Sequence, residues 1–299
     1  MNDGITRLLS DIERTRLSRL LLGSRFTVEG SLQGAHRSPL KGFSVEFADY
    51  RSYVSGDDLR HLDWRVFARN ERLYVRQYEE ECNLRAYLLV DGSASMGYGS
   101  QAMTKYGFAS RLAAALAYVT VQQQDSVGAT LFDSRVRSRL PARSGFEHLR
   151  QVANLLSEHT PSEQTDLAQC LHRLAQGLRR RALVVVISDL LDDLDAIRKA
   201  LAHFRRRRHD VILYHVLDRA EIEFPFRDAA EFRDMETGAR VQANPREIRR
   251  AYQDCVSAFL ESCREISSVL DTDYALVHPD QDLVLTVQQH LHRRYRRRA

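Results

Sequence analysis

The stretch Asp91-Gly92-Ser93-Ala94-Ser95 sets one carboxylate and two hydroxyls at alternate positions, directly after the apolar run Ala86-Tyr87-Leu88-Leu89-Val90. A continuous apolar run bounded by polar residues reads as a strand covered on both faces. Its C-terminal end is where open α/β sheets place their ligands. Carboxylate and hydroxyl oxygens together suit a hard cation such as Mg²⁺, which takes octahedral oxygen coordination at about 2.0–2.1 Å. Two later segments can join the same cluster. Thr165-Asp166 opens a helical pattern of Leu167, Cys170, Leu171 and Leu174, which sets Thr165 at a helix N-terminus. Ala182-Leu183-Val184-Val185-Val186-Ile187 is a second buried-strand pattern, and it ends in Ser188-Asp189. If both strands are central and parallel, Asp91 and Asp189 share one sheet edge. The competing reading is that the Ser and Thr hydroxyls only cap helices.

The elements that must hold these groups alternate from about residue 83 onward. After the first strand the spacing predicts a helix over 104–124, a strand over 126–133 and a short edge strand over 135–140. Helices near 145–157 and from Thr165 follow, then the strand over 182–188, a helix over 194–207 and the apolar strand Val211–Val216. Alternation of this kind requires right-handed crossovers and a mainly parallel sheet. Residues 219–244 are charged and aromatic, and read as an irregular excursion with short strands. Asn244, Pro245 and Glu247 then open a helix through a cap, an N1 proline and a capping box. A short segment at 273–277 and a helix over 280–294 complete the pattern. The expected fold class is therefore α/β, a Rossmann-type, mainly parallel sheet flanked by helices over 81–299. An N-terminal helix and a β-rich extension occupy 1–80. Ile5, Leu8, Leu9, Ile12, Leu17, Leu20 and Leu21 predict one amphipathic helix over 4–22, docked on its own domain or offered to another protein or a membrane surface.

Composition narrows the function classes. A hydrophobic fraction of 43% supports a substantial core, and the formal net charge of +4 does not demand a polyanionic partner. No run is long and apolar enough to span a bilayer, and the N-terminus lacks a secretory pattern, so a cytoplasmic protein is expected. Cys82, Cys170, Cys255 and Cys263 are scattered without zinc spacing and read as thiols in a reducing compartment. Arg205–Arg208 and the C-terminal run from Arg293 to Arg298 are the basis of a rival nucleic-acid-binding reading, although Arg at helix C-termini is also favoured by the helix dipole.

A second signature runs from Arg51 to Arg69 as RSYVSGDDLRHLDWRVFAR, with opposite charges packed densely around the only Trp of the chain. Arg51, Asp57, Asp58, Arg60, Asp63, Trp64 and Arg69 can form an Arg–carboxylate network that buttresses the N-terminal strands, or a partner-binding surface.

Two resemblances follow from these residues. Asp-x-Ser-x-Ser, a distant Thr and a distant Asp resemble the metal-ion-dependent adhesion site (MIDAS) of von Willebrand factor A domains. That resemblance implies metal binding by Ser93, Ser95 and Thr165, with Asp91 and Asp189 coordinating directly or through water. The Gly-Asp-Asp-x-Arg-x-x-Asp-Trp block, with Gly42–Phe47 upstream, closely resembles the hallmark of the DUF58 family, and the likeness covers roughly 25–290. It implies a von Willebrand A-like domain, a MoxR-type AAA+ ATPase partner and a role as a metal-dependent adaptor or co-chaperone in protein maturation. Many members carry N-terminal transmembrane helices, whereas the sequence here offers only the amphipathic 4–22 segment, which argues against a membrane role.

A cation held mainly by hydroxyls keeps much of its charge and can accept an acidic side chain from a protein partner. The expected cofactor is Mg²⁺, with Mn²⁺ or Ca²⁺ as alternatives. No catalytic residue is expected. Gly92–Gly97 is not a nucleophile elbow, Ser93 stands where an Asp-x-Asp phosphotransferase needs an acid, and no Walker A or Gly-x-Gly-x-x-Gly motif is present. His159 and His172 flank Thr165, but a lone histidine is a weak sign of a base. A metal-dependent hydrolase is the third reading.

Overall fold

Ser10 interrupts the N-terminal apolar periodicity. Its hydroxyl accepts from the Glu13 amide at 3.3 Å while the Glu13 carboxylate accepts from the Ser10 amide at 2.8 Å. This capping box starts a new helix. The chain therefore makes two short helices, α1 (Gly4–Leu8) and α2 (Asp11–Leu17), where the apolar spacing predicts one over 4–22. The computed structural model describes residues 4–22, 46–54, 62–70, 72–79, 84–178 and 180–296. It divides into two compact units, Thr27–Leu84 and the combination of Met1–Phe26 with Arg85–Ala299.

In the smaller unit, strands β1 (Glu46–Ser52) and β2 (Tyr74–Glu79) pair antiparallel, Glu46 opposite Glu79 and Ser52 opposite Tyr74. Helix α3 (Trp64–Asn70) lies between them in sequence. Asp63 starts it by accepting from the amides of Arg65 at 2.9 Å and Val66 at 3.2 Å.

In the larger unit, the apolar runs become a six-stranded sheet. Its strands are β3 (Arg85–Asp91), β4 (Ser126–Phe132), β5 (Val136–Arg143), β6 (Leu183–Ser188), β7 (Asp210–Val216) and β10 (Asp273–Val277). Spatially they run β10-β7-β6-β3-β4-β5, and every pairing is parallel except that of β4 with β5. Between β7 and β10 in sequence comes a short helix α8 (Arg219–Glu223) and the antiparallel hairpin β8 (Ala230–Arg233) and β9 (Arg240–Ala243).

β3 lies between β4 and β6, the strands that follow it on either side, so the strand order reverses there and the crevice opens at the carboxyl ends of β3 and β6. All six residues of β6 are buried, as a strand covered on both faces requires.

Helix α4 (Lys105–Gln122) follows β3, with Phe108, Leu112, Leu116 and Val119 fully buried. α5 (Phe146–Glu158), α6 (Leu167–Gly177), α7 (Leu194–Arg206), α9 (Pro245–Val269) and α10 (Leu283–Arg296) complete the helices. Leu167, Cys170, Leu171 and Leu174 of α6 share a core with Ile197, Leu201 and Phe204 of α7 and Val184 and Val186 of β6. Arg111 of α4 ties the N-terminal helices to this unit, donating to the Leu8 carbonyl at 3.0 Å and to Glu13 at 2.5 Å. The architecture is the α/β, mainly parallel one expected from the alternation. At α9 the Asn244 side chain accepts from the Arg246 amide, but Glu247 pairs with the Asn244 side-chain amide at 2.7 Å and does not close the expected box.

Candidate functional site

Asp91 is the last residue of β3 and is fully buried. Its Oδ1 accepts from the Ser93 amide at 3.0 Å, and its Oδ2 accepts from the Ser188 hydroxyl at 2.6 Å. The strand end therefore points the carboxylate along the crevice and braces it from both neighbours. Burial, then the charge of nearby Asp189, pushes its pKa up to about 7. An ionised carboxylate held in this way lacks a compensating positive charge.

The next residues turn sharply into a 3-10 segment, Ala94–Gly97. The Ser93 side chain does not cap it; its Oγ lies 3.1 Å from the Ser95 Oγ. Gly92 is required by crowding, because a Cβ there would stand 2.3 Å from His159 Nε2. That nitrogen is 3.0 Å from the Gly92 carbonyl oxygen, which also accepts from the Ser162 amide at 3.1 Å. The Ala94 amide donates to the Glu163 carbonyl at 2.9 Å, and the Asp166 amide to the Asp133 carbonyl at 3.2 Å. These bonds lace the 159–166 segment to the 92–94 turn and to the end of β4. Thr165 is held in the same lacing. Helix α6 is capped by the Asp166 side chain, which accepts from the Gln169 amide at 3.0 Å, and not by Thr165. The Thr165 hydroxyl oxygen is buried and has no hydrogen-bond partner. For Ser93 and Thr165 the capping alternative therefore does not hold.

Asp189 follows β6 and is fully buried. Burial raises its pKa, but Lys105 outweighs that and the net effect is a lowering. The Lys105 amine, buried at the first turn of α4, lies 2.8 Å from Asp189 Oδ2 and 2.7 Å from Glu221 Oε1 of α8. Burial disfavours its charge, and the two carboxylates more than restore it.

Glu236, at the tip of the β8–β9 hairpin, also reaches the site. Its Oε2 accepts from the Thr165 amide at 3.2 Å, and the Ser95 hydroxyl supports its charged form. Its Oε1 is buried without a partner. Burial leads a net upward shift of its pKa.

The structure thus brings Asp91, Ser93, Ser95, Thr165 and Asp189 to one edge. Lys105, Glu221 and Glu236 were not among the residues expected there. Lys105 had a usable signal, since it is one of only three lysines in a chain whose other basic residues are all Arg. The two glutamates sit in a charged stretch where nothing local singles them out.

Among the described residues, no group of three or more His, Cys, Asp or Glu side chains is arranged to hold a metal ion. A cation at this edge must therefore draw on hydroxyl oxygens. The donor set fits that requirement: two serine hydroxyls in contact, an orphaned threonine hydroxyl and a buried carboxylate, all oxygens suited to Mg²⁺, Mn²⁺ or Ca²⁺.

Of the second signature, Asp57, Asp58 and Arg60 lie outside the described residues, and Arg51 lies in β1. Asp63 is buried as the start of α3, whereas Trp64 is 60% exposed and meets Phe67 edge to face at 6.2 Å. Arg69 is exposed at the end of the same helix. Three arginines of the Arg-rich segments are engaged within the fold. Arg205 donates to the Val269 carbonyl at 3.0 Å, Arg207 to those of Ala175 and Gln176, and buried Arg294 pairs with Asp210 and Asp273. His172 is bonded to Gln176 at 2.9 Å. Among the described residues, no helix is long and apolar enough to cross a membrane.

Known proteins are similar to parts of this chain. An uncharacterized protein of Mycobacterium tuberculosis, Rv1480, is 32% identical over 241 residues, covering 77% of this chain and 74% of that protein. A shorter uncharacterized protein of Mycobacterium avium is 30% identical over 150 residues, 46% of this chain and 86% of its own. Among solved structures, the conserved hypothetical protein BatB from Bacteroides thetaiotaomicron aligns with a TM-score of 0.48 at 15% identity, over 72% of this chain and all of that one. The VWA domain of SpRpn10 aligns with a TM-score of 0.39 at 11% identity, over 69% of this chain and 95% of that one. Residues 49–259 match the family described as "Protein of unknown function DUF58", a span that takes in both the Asp63-Trp64 segment and the whole β3–β6 site, and the chain belongs to that family.

Proposed function

We propose that this protein is a non-enzymatic, divalent-metal-dependent adaptor or co-chaperone of the cytoplasm, which captures an acidic group on a protein partner and works beside a MoxR-type AAA+ ATPase in protein maturation. The observation that carries the capture is the convergence of Asp91, Ser93, Ser95 and the partnerless Thr165 hydroxyl on one sheet edge. The ATPase partner comes from the family resemblance.

A bound divalent cation would supply an electrophilic point at which a carboxylate from another molecule can dock. The chain's own residues favour docking over hydrolysis. Lys105 neutralises Asp189, so few anionic charges remain to quench the cation. Hydrolysis needs a positioned base or a second metal to activate water. His159 is turned to the Gly92 carbonyl, and half-buried His172 is bonded to Gln176.

The test combines binding and stability. Mg²⁺ or Mn²⁺ at about 100 times its dissociation constant adds roughly 2.7 kcal/mol to the native state. Wild type should melt several degrees higher with metal, and Asp91→Ala should not. Partner capture on immobilised protein should then need Mg²⁺ and be lost in EDTA and in Asp91→Ala. Equal capture in all three conditions would end the metal-docking reading. Co-purification of an AAA+ ATPase in the Mg²⁺ fraction is expected of the second half of the proposal.

A further inference from the structure

The excursion between β7 and β9 sends two carboxylates toward the β3–β6 edge by different routes. Glu221 reaches Lys105, and through it Asp189. Glu236 reaches the edge itself.

The hairpin that carries Glu236 is anchored at its base and stiffened at its tip. At the base, Phe232 of β8 stacks on Phe224 with ring centroids 5.5 Å apart and meets Phe226 at 5.4 Å. Phe224 in turn lies 4.4 Å from the Tyr252 ring of α9, and the Tyr252 hydroxyl donates to the Glu221 carbonyl at 2.7 Å. At the tip, the Asp234 carboxylate accepts from the Glu236 amide at 2.8 Å, the Thr237 amide at 3.3 Å and the Thr237 hydroxyl at 2.6 Å. Gly238 takes the left-handed conformation, φ +72°, that closes this turn. Met235 faces the serine turn, since a methyl at Gly97 would lie 3.7 Å from its Cε.

Glu236 is thus delivered by a shaped loop. One oxygen is fixed by the Thr165 amide, while the other is buried with no donor to satisfy it. The Thr165 hydroxyl beside it is equally unsatisfied. Two orphaned, buried oxygens on adjoining residues make an expensive arrangement in a folded protein unless something electropositive sits between them. Both lie close to the serine turn, since the Ser95 hydroxyl supports the charged form of Glu236 and lies 3.1 Å from that of Ser93.

We propose that Glu236 is a ligand of this cation supplied by the chain itself, so that the hairpin tip fills the coordination position an acidic partner would take. This rests on the metal-docking reading above and adds an internal competitor to it. Partner binding then involves exchange of one carboxylate for another, and the hairpin must lift or shift for the exchange to occur.

The experiment uses Mn²⁺ alone as the probe, on full-length wild type, Glu236→Gln, Glu236→Ala and Asp91→Ala. Binding is titrated calorimetrically, and hydrogen exchange of residues 230–243 is followed with and without Mn²⁺. Loss of a group that merely supports a metal ligand costs roughly 10–100-fold in affinity. Both Glu236 variants should lose about tenfold or more, and Asp91→Ala should bind nothing. Mn²⁺ should slow exchange in the wild-type hairpin and leave it unchanged in Glu236→Gln, which keeps the amide contact and the loop. Wild-type affinity and hairpin protection in the Glu236 variants would overturn the ligand role while leaving the metal site standing. Absence of Mn²⁺ binding to wild type would overturn both. Because Glu236 is only partly buried and its Oε1 has no partner, metal-free variants that melt no lower than wild type check that the fold is intact.

Discussion

Replacing Asp91 by Asn should make the metal-free protein more stable, although Asp91 is the centre of the site. The buried carboxylate titrates near 7 in place of 3.8. At about 1.4 kcal/mol per tenfold change in acidity, its ionised form in the fold costs about 4 kcal/mol. Asparagine keeps the shape and most of the bonds. Its oxygen can still accept from the Ser93 amide, and its NH2 can donate to the Ser188 hydroxyl, which then turns its own proton elsewhere. The sign follows from proton counting. Between about pH 4 and about pH 7 the folded state holds a proton that the unfolded state has released, so wild-type stability falls as pH rises through that window. The penalty is complete above about 7 and absent below about 4. For a unit of this size 1 kcal/mol moves the melting temperature by about 2–4 °C. In EDTA at pH 8, Asp91→Asn should melt roughly 10 °C above wild type, and the gap should close steadily toward pH 4. Adding Mg²⁺ should raise the wild type alone. A variant that melts at or below wild type at pH 8 in EDTA would refute the view of Asp91 as a buried anion awaiting a cation.

Other substitutions separate support from function. Thr165→Val removes a hydroxyl that has no partner, so metal-free stability should hold or rise, while the Mn²⁺-induced melting shift shrinks; a shift of wild-type size would remove Thr165 from the site. Lys105→Met strands Asp189 and Glu221 without their cation and should cost about 3–5 kcal/mol in urea unfolding, and a loss below about 1 kcal/mol would mean that the trio is not electrostatically coupled. Gly92→Ala forces a Cβ into His159 and should cost about 1–3 kcal/mol through overpacking, with melting read in His159→Ala as a background that relieves the clash.

The sheet was legible because its strands announce themselves. Val184, Val185, Val186 and Ile187 are apolar without alternation, as in a strand covered on both faces, and their β-branching and short run argue against a buried helix. Once β3 and β6 were parallel neighbours, Asp91, Ser93, Ser95 and Asp189 had to meet, since each follows a strand end. Thr165 was legible through the helix it precedes, although Asp166 turned out to hold the cap. The break at Ser10 was written in its Ser-x-x-Glu spacing, but the long run of leucines masked it. Glu236 and Glu221 were not legible at all. Their delivery depends on Phe224, Phe226, Phe232 and Tyr252 clustering in space, and a single glutamate in a charged stretch carries no period from which to infer that.

The order of the chain also sets the order in which this edge can exist. β4 and β5 are joined by a tight connection and pair with their immediate neighbours in sequence, whereas β3 meets β6 only after residues 92–182 have been placed between them. Contacts of such long sequence separation carry a larger loop-closure cost than those between β4 and β5. During synthesis, a chain that has emerged only as far as α6 carries Asp91 and both serines but has no Asp189 to set beside them. The cluster of 91, 165, 189 and 236 therefore needs chain at least as far as the β8–β9 hairpin: a nascent or truncated chain that stops short of β6 has no such edge, and whatever recognises it recognises a chain folded past that point.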